Sequence, residues 1–269
     1  MRKIAITVAP VGAHQLEGVK NPLTPEEIAE DVIKCHENGA SQVHLHVRDK
    51  DGSLTSDISI FSKSVEMICQ KTDLIIQGST GGLSSLTRDE RCASLLEPRV
   101  EVASLNMGTV NFGDVIYINT LDDIRYWSKR IKEANALPEL EIFEPGMIYN
   151  TFQMIREGVL PENNIYSFSL GIGPLPCSPH SLYMLSGLIP PGSLWGCIHT
   201  GMTDFSMLAA AIGMGASMIR VGFEDSTFYS PGKAAQTNAE LVGRAADMIR
   251  CMGLEVATPE EARIMFHNN

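Results

Sequence analysis

Positive charge is what this chain has least of. It holds 21 lysines and arginines against 32 aspartates and glutamates, a formal charge of -11 over 269 residues. Nucleic acids and anionic membranes are held through clustered basic side chains, so neither is an expected partner. No apolar run approaches the roughly 18 residues of a membrane span. The first segment, MRKIAITVAPVGAH, lacks both the full apolar core and the small-residue cleavage site of a secretory leader. The expectation is a cytoplasmic protein. The six cysteines, Cys35, Cys69, Cys92, Cys177, Cys197 and Cys251, form no CxxC pair and read as reduced structural thiols. A strand-following GxGxxG and a GxxxxGK[ST] are both missing, which removes those two nucleotide cradles.

What is present is an ordinary globular composition, 44% hydrophobic and 20% charged, with short apolar runs alternating with longer segments of helical period. The runs KIAITVAP, SQVHLHVR, LIIQGS, VASLNM, ELEIFE, YSFSLGI, LWGCIHT and SMIRVGF predict eight strands. Helices are predicted over 24–40, 57–72, 120–136, 147–159, 204–216 and 238–253, with a short one starting at Thr258. Thr24 with Glu27 forms a capping box, Pro25 fits the first helical position, and Gly39 ends that helix. About eight strands in about 250 residues fit a (β/α)8 TIM barrel better than an open doubly wound sheet. The expected organisation is α/β, one barrel domain over residues 1–269.

Barrel chemistry sits at the carboxyl ends of the strands. In VHLHVRD, His44 and His46 share one strand face, opposite Val43, Leu45 and Val47. They are either hydrogen-bonded core histidines or two ligands of one metal ion. A catalytic zinc usually takes three protein ligands and keeps a fourth position open. Glu224, where the apolar run IRVGF stops at an acid pair, is the best third ligand. Arg220 can pair with a barrel carboxylate, and Glu139 and Glu141 share a strand face as candidates for that pairing. Gln77, Ser79, Thr80, Gly81 and Gly82 close the third strand, and Ser104 and Asn106 the fourth.

Taken in order, NPLTPEEIA, VHLHVRDKDG, IIQGSTGG, SLNMGTVNFGD, PELEIFEPGM, IRVGFEDS, TNAELVGR and ATPEEAR resemble the β-keto acid cleavage enzymes over nearly the whole chain. The resemblance implies a zinc-dependent barrel, usually a homotetramer, that converts a β-keto acid and acetyl-CoA into acetoacetate and a new CoA thioester. It implies one zinc per chain on His44, His46 and Glu224. Asp225 is the implied general base, removing a proton next to the acetyl-CoA thioester, and Arg220 orients it. Ser79 belongs to the implied catalytic or substrate-binding group. Asn106, Glu141, Thr80 and Gly81 are expected substrate contacts.

The chain departs from the family pattern at three places. His14 stands where a member acting on an amino-substituted keto acid has glutamate, so the expected substrate tail is neutral or anionic. His199-Thr200-Gly201-Met202 replaces a common Gly-Ile-Gly-Arg, leaving an arginine out of the rim. The loop Gly171 to Pro176 lacks the usual glycine pattern. Two other readings remain at this level: a metal-dependent barrel hydrolase, and a non-catalytic metabolite-binding barrel.

Overall fold

The computed structural model describes residues 1–12, 15–82 and 84–268. Eight parallel strands form a closed ring: β1 (Lys3–Val8), β2 (Gln42–His44), β3 (Ile75–Ser79), β4 (Val100–Asn106), β5 (Leu137–Ile142), β6 (Ile165–Ser169), β7 (Leu194–Ile198) and β8 (Met218–Val221). Each pairs with the next, and β1 pairs with β8 through Ala5 to Val8 against Met218 to Val221, which closes the barrel. This is the (β/α)8 TIM barrel expected from the alternating pattern.

The crossovers are α1 (Pro25–Glu37), α2 (Ile58–Cys69), α3 (Leu121–Glu133), α4 (Pro145–Arg156), α5 (Pro179–Leu188), α6 (Ser206–Gly213) and α7 (Asn238–Cys251), and α8 (Pro259–His267) follows. Between β3 and β4 the crossover shrinks to one helical turn, Arg88–Arg91, and a 3-10 turn, Ala93–Leu96. In α1 the Thr24 side chain accepts from Glu27 N while the Glu27 side chain bonds the Thr24 N–H, and Ile28, Ala29, Val32 and Cys35 form its buried face. Burying an isoleucine or valine there contributes about 1.5–3 kcal/mol per side chain.

Three expectations need correction. Strand β2 stops at His44, so His46 lies beyond it, and the chain then turns into a small hairpin of Val47–Arg48 and Leu54–Thr55. Helix α5 was not anticipated, although Ser178 at its N-cap and Pro179 at its first position are start signals. Its apolar residues are spread round the helix, which hides the period. The hairpin Val110–Phe112 with Val115–Tyr117 was also unforeseen.

Alternation along each strand sorts the side chains into two regions. One face packs an apolar shell against the helices, including Ile4, Ile6, Val8, Val43, Ile76, Leu105, Leu140 and Phe168. The other faces the barrel axis. At the amino ends of the strands the axis is apolar, with Ala5, Ile75, Val102, Ile165 and Met218 clustered with Ala262 and Phe266 of α8. Above that floor the interior is polar: Thr7, Gln42, Gln77, Ser104, Glu139, Ser167 and Arg220 are all buried. The carboxyl ends of the strands therefore rest on hydrogen bonds. No helix among the described residues is long and apolar enough to cross a membrane, and the six cysteines are unpaired.

Candidate active site

His44 and His46 remain on one side although the strand ends between them. Leu45 N donates to Gln77 O at 3.0 Å, which keeps that segment extended beside β3. The two Nε2 atoms are 3.3 Å apart. Glu224 joins them from the turn after β8, with Oε2 3.6 Å from His44 Nε2 and Oε1 3.9 Å from His46 Nε2. One ligand atom from each of the three lies within 4.8 Å of the others. Glu224 is set by the backbone, since its N–H donates to Ala9 O at 3.1 Å. Gly12 passes so close that a Cβ there would stand 2.8 Å from Glu224 Cα, so a side chain at 12 would displace Glu224.

Arg220 is the hub of the mouth. Its Nε and Nη2 donate to the two Asp225 carboxylate oxygens, both at 2.9 Å. Nη1 reaches Glu141 Oε1 at 3.0 Å, and Nη2 reaches Glu224 Oε1 at 2.9 Å. The guanidinium is 5% exposed, so these interactions are weakly screened. Three carboxylates against one guanidinium leave two negative charges uncompensated. The carboxylates respond differently. Burial pushes Asp225 up to about 6, opposed by Arg220 and helped by Glu224. Burial likewise raises Glu141 to about 7 against the pull of Arg220. At Glu224 burial is outweighed by Arg220 and the two imidazoles, which hold it down to about 2.

These features fit a divalent cation. The donor set is two nitrogens and a carboxylate, the surplus charge matches the ion, and Glu224 Oε2 is buried without a hydrogen-bond partner. Burial lowers the pKa of both imidazoles, to about 3 for His44, so protons do not compete for them near neutral pH.

Around this centre the expected pocket residues converge. Ser79 Oγ stands 3.3 Å from Ser104 Oγ and accepts from Gly81 N at 2.8 Å. Thr80 Oγ1 donates to Ser104 O at 2.7 Å and so serves the loop rather than the cavity. Asn106 Nδ2 donates to Tyr117 Oη at 3.1 Å, leaving its buried Oδ1 without a partner. Tyr117 was not foreseen. It comes from the second hairpin, and burial pushes its hydroxyl up to about 12. A Cβ at position 81 would lie 2.7 Å from its hydroxyl, which explains glycine there. The alternating Val-Asn-Phe and Val-Ile-Tyr around Gly113 are the signal that could have revealed this hairpin. Beside His46, Ser79 and Gly81 a pocket runs outward, walled by Leu54, Ile58, Phe61 and Leu86, with Arg91 in its lining.

His14 lies outside the described residues. His199 is fully buried, with Nε2 2.9 Å from Asp204 O and its ring 4.7 Å from Phe205, and it is not part of the metal-ligand cluster. Its neighbour Thr200 does reach the site, donating to Asp225 Oδ1 at 3.4 Å.

Residues 3–267 match the model of the beta-keto acid cleavage enzyme family. The chain belongs to this family. It is 40% identical over 268 residues to a 3-keto-5-aminohexanoate cleavage enzyme of Fusobacterium nucleatum subsp. nucleatum, covering 98% of this chain and 97% of that one. It is 29% identical over 296 residues to a 3,5-dioxohexanoate:acetyl-CoA acetone transferase of Paraburkholderia graminis, covering 98% and 95%. Among solved structures, a ternary complex of ObcA with C4-CoA adduct and oxalate superposes with a TM-score of 0.76 at 22% identity, over 92% of this chain and 67% of that one. That likeness speaks to the barrel.

In this β-keto acid cleavage enzyme, Met202 is 4% exposed and its carbonyl accepts from Ser226 Oγ at 2.7 Å. The position where the rim lacks an arginine is thus packed inward and braces the turn that carries Glu224 and Asp225.

Proposed function

We propose that the chain converts a β-keto acid and acetyl-CoA into acetoacetate and the CoA thioester of the remaining acyl group, with one Zn²⁺ held by His44, His46 and Glu224. The observation that supports this most is Asp225 clamped by Arg220 directly beside that three-ligand cluster. When bound, the ion would supply Lewis-acid stabilisation of negative charge on a carbonyl oxygen.

Asp225 is the base. A carboxyl raised toward neutrality accepts a carbon-bound proton better than an ordinary aspartate, and the two Arg220 bonds fix its direction. Carbon balance corrects which proton it takes. Acetoacetate must combine the acetyl group of acetyl-CoA with C1 and C2 of the keto acid, so the nucleophile is C2 and the proton comes from there, not from the thioester side. The C2 carbanion forms a bond to the acetyl carbonyl, and the CoA thiolate leaves and adds to C3. The C2–C3 bond then breaks, its electron pair stays on C2, and Asp225 returns the proton. Ser79 lines the pocket as a polar contact for the substrate, the buried and unpartnered Asn106 Oδ1 is a second candidate contact, and Glu141 keeps Arg220 in place.

The tail carried by C3 is proposed to be neutral or anionic, on the residue type at His14. The pocket walled by Leu54, Ile58, Phe61 and Leu86 suits an apolar portion of a substrate. A cytoplasmic homotetramer completes the reading, supported by the unpaired cysteines and by Val115 and Ile116, exposed on the hairpin tip. The test is acetoacetate release by zinc-loaded protein given acetyl-CoA and β-keto acids with cationic, neutral, anionic and apolar tails. Turnover of a neutral or anionic compound is expected. The amino compound as best substrate would overturn the tail assignment, and silence across the panel would overturn the reaction.

A further inference from the structure

We propose that Glu139, buried at the middle of the barrel, is a positioning residue that fixes the tautomer of His44 through Gln77. The proposal rests on the reading of His44 as a metal ligand. Glu139 is 1% exposed and has no cationic partner among the described residues. Its Oε2 accepts from Gln42 Nε2 at 3.0 Å and from Gln77 Nε2, and its Oε1 accepts from Ser167 Oγ at 2.5 Å. Gln42 Nε2 also donates to Thr7 Oγ1 at 3.1 Å. On the other side, Gln77 Oε1 is 2.6 Å from His44 Nδ1.

The direction of these bonds follows from chemistry. A carboxylate accepts and cannot donate, so the amide end of Gln77 must face Glu139. That turns the Gln77 carbonyl end to His44, and a carbonyl only accepts, so His44 Nδ1 must carry the hydrogen. An imidazole with hydrogen on Nδ1 has its lone pair on Nε2, the atom aimed at His46 and Glu224. Strands β5, β3 and β2 thus pass one acceptor's polarity across the barrel to a ligand atom. The Gln42 and Ser167 bonds hold the carboxylate from β2 and β6, so it cannot swing away.

The test is Glu139→Gln, alone and with Gln77→Glu. In the single variant position 139 can donate or accept, and Gln77 is no longer committed. In the double variant the new amide at 139 donates to the new carboxylate at 77, which accepts from His44 Nδ1, so the original polarity returns. Two readouts are used: Zn²⁺ affinity by chelator competition, and the His44 tautomer from ¹⁵N–¹H correlation spectra of metal-free protein. The single variant should bind Zn²⁺ about 10–100-fold more weakly and show mixed tautomers, and the double variant should recover both. An unchanged single variant, or a double variant no better than the single, would overturn the relay. Should Glu139→Gln not fold, Gln77→Met, which removes the link itself, must show the same mixed tautomers or the relay fails. Wild-type protein that binds no Zn²⁺ would sink the metal reading instead, and its metal-free spectrum would still decide the tautomer.

Discussion

Glu139 and Glu141 stand two residues apart on the same face of β5, both buried, and are held by opposite means. Glu139 is surrounded by amides and a hydroxyl, fixed dipoles that cannot leave. Glu141, one layer nearer the mouth, leans on the Arg220 guanidinium, which Asp225 and Glu224 also claim. Inside the barrel, one negative charge is met by hydrogen-bond donors of the protein. At the mouth it is left in excess, and a cation or a proton must complete it. In the proposed reading, reactivity resides in the layer whose charge balance is open, and orientation in the layer whose carboxylate is held by neutral donors.

The largest test of this contrast is Asp225→Asn. The variant keeps the shape of the mouth and removes the proposed base, so turnover should fall about 10²–10⁴-fold with metal content unchanged. Unchanged turnover, measured as acetoacetate release, would remove Asp225 as base and with it the claim that the open layer is the reactive one.

The next sharpens the contrast through pH. Glu141 has a folded pKa of about 7, above the ordinary 4.5, because of burial. Its stabilising contribution is therefore complete below about pH 4.5 and is lost as pH rises through about 7. Metal-free Glu141→Gln should melt several degrees above the parent at about pH 8, with the gap closing by about pH 4. A gap of equal size at both pH values would show that Glu141 is not frustrated by charge.

The smallest effect belongs away from the barrel axis. Thr24→Ala removes one cap of α1 and should lower stability by about 1 kcal/mol in urea titration without altering Zn²⁺ affinity. A change in affinity would mean that the helical shell and the mouth are coupled, against the separation drawn between them.

Much of the barrel was legible because its information is local. Alternating runs place the eight strands, and capping residues such as Thr24, Thr120 and Thr258 mark helix starts. The candidate metal ligands were legible for a similar reason: HxH in an apolar run and an acid pair closing β8 are anomalies visible without neighbours. Helix α5 escaped because its apolar residues do not fall on one stripe, and Tyr117 because a short hairpin interrupts a crossover. The Glu139 network escaped for a deeper reason. Its members come from β2, β3, β5 and β6, and which amide meets which carboxylate is decided only by the stagger of the closed ring.

The floor of the barrel has a consequence for when the protein comes into being. Phe266 and Ala262 of α8 seal the end of the axis opposite the mouth, and Ala257 N bonds to Ile4 O at 2.9 Å, so the segment leading into α8 seats against the first strand. At a synthesis rate of about 5–20 residues per second, the first strand waits on the order of ten seconds or more for that partner to emerge. Until then the apolar lower axis lacks its cover from Ala262 and Phe266.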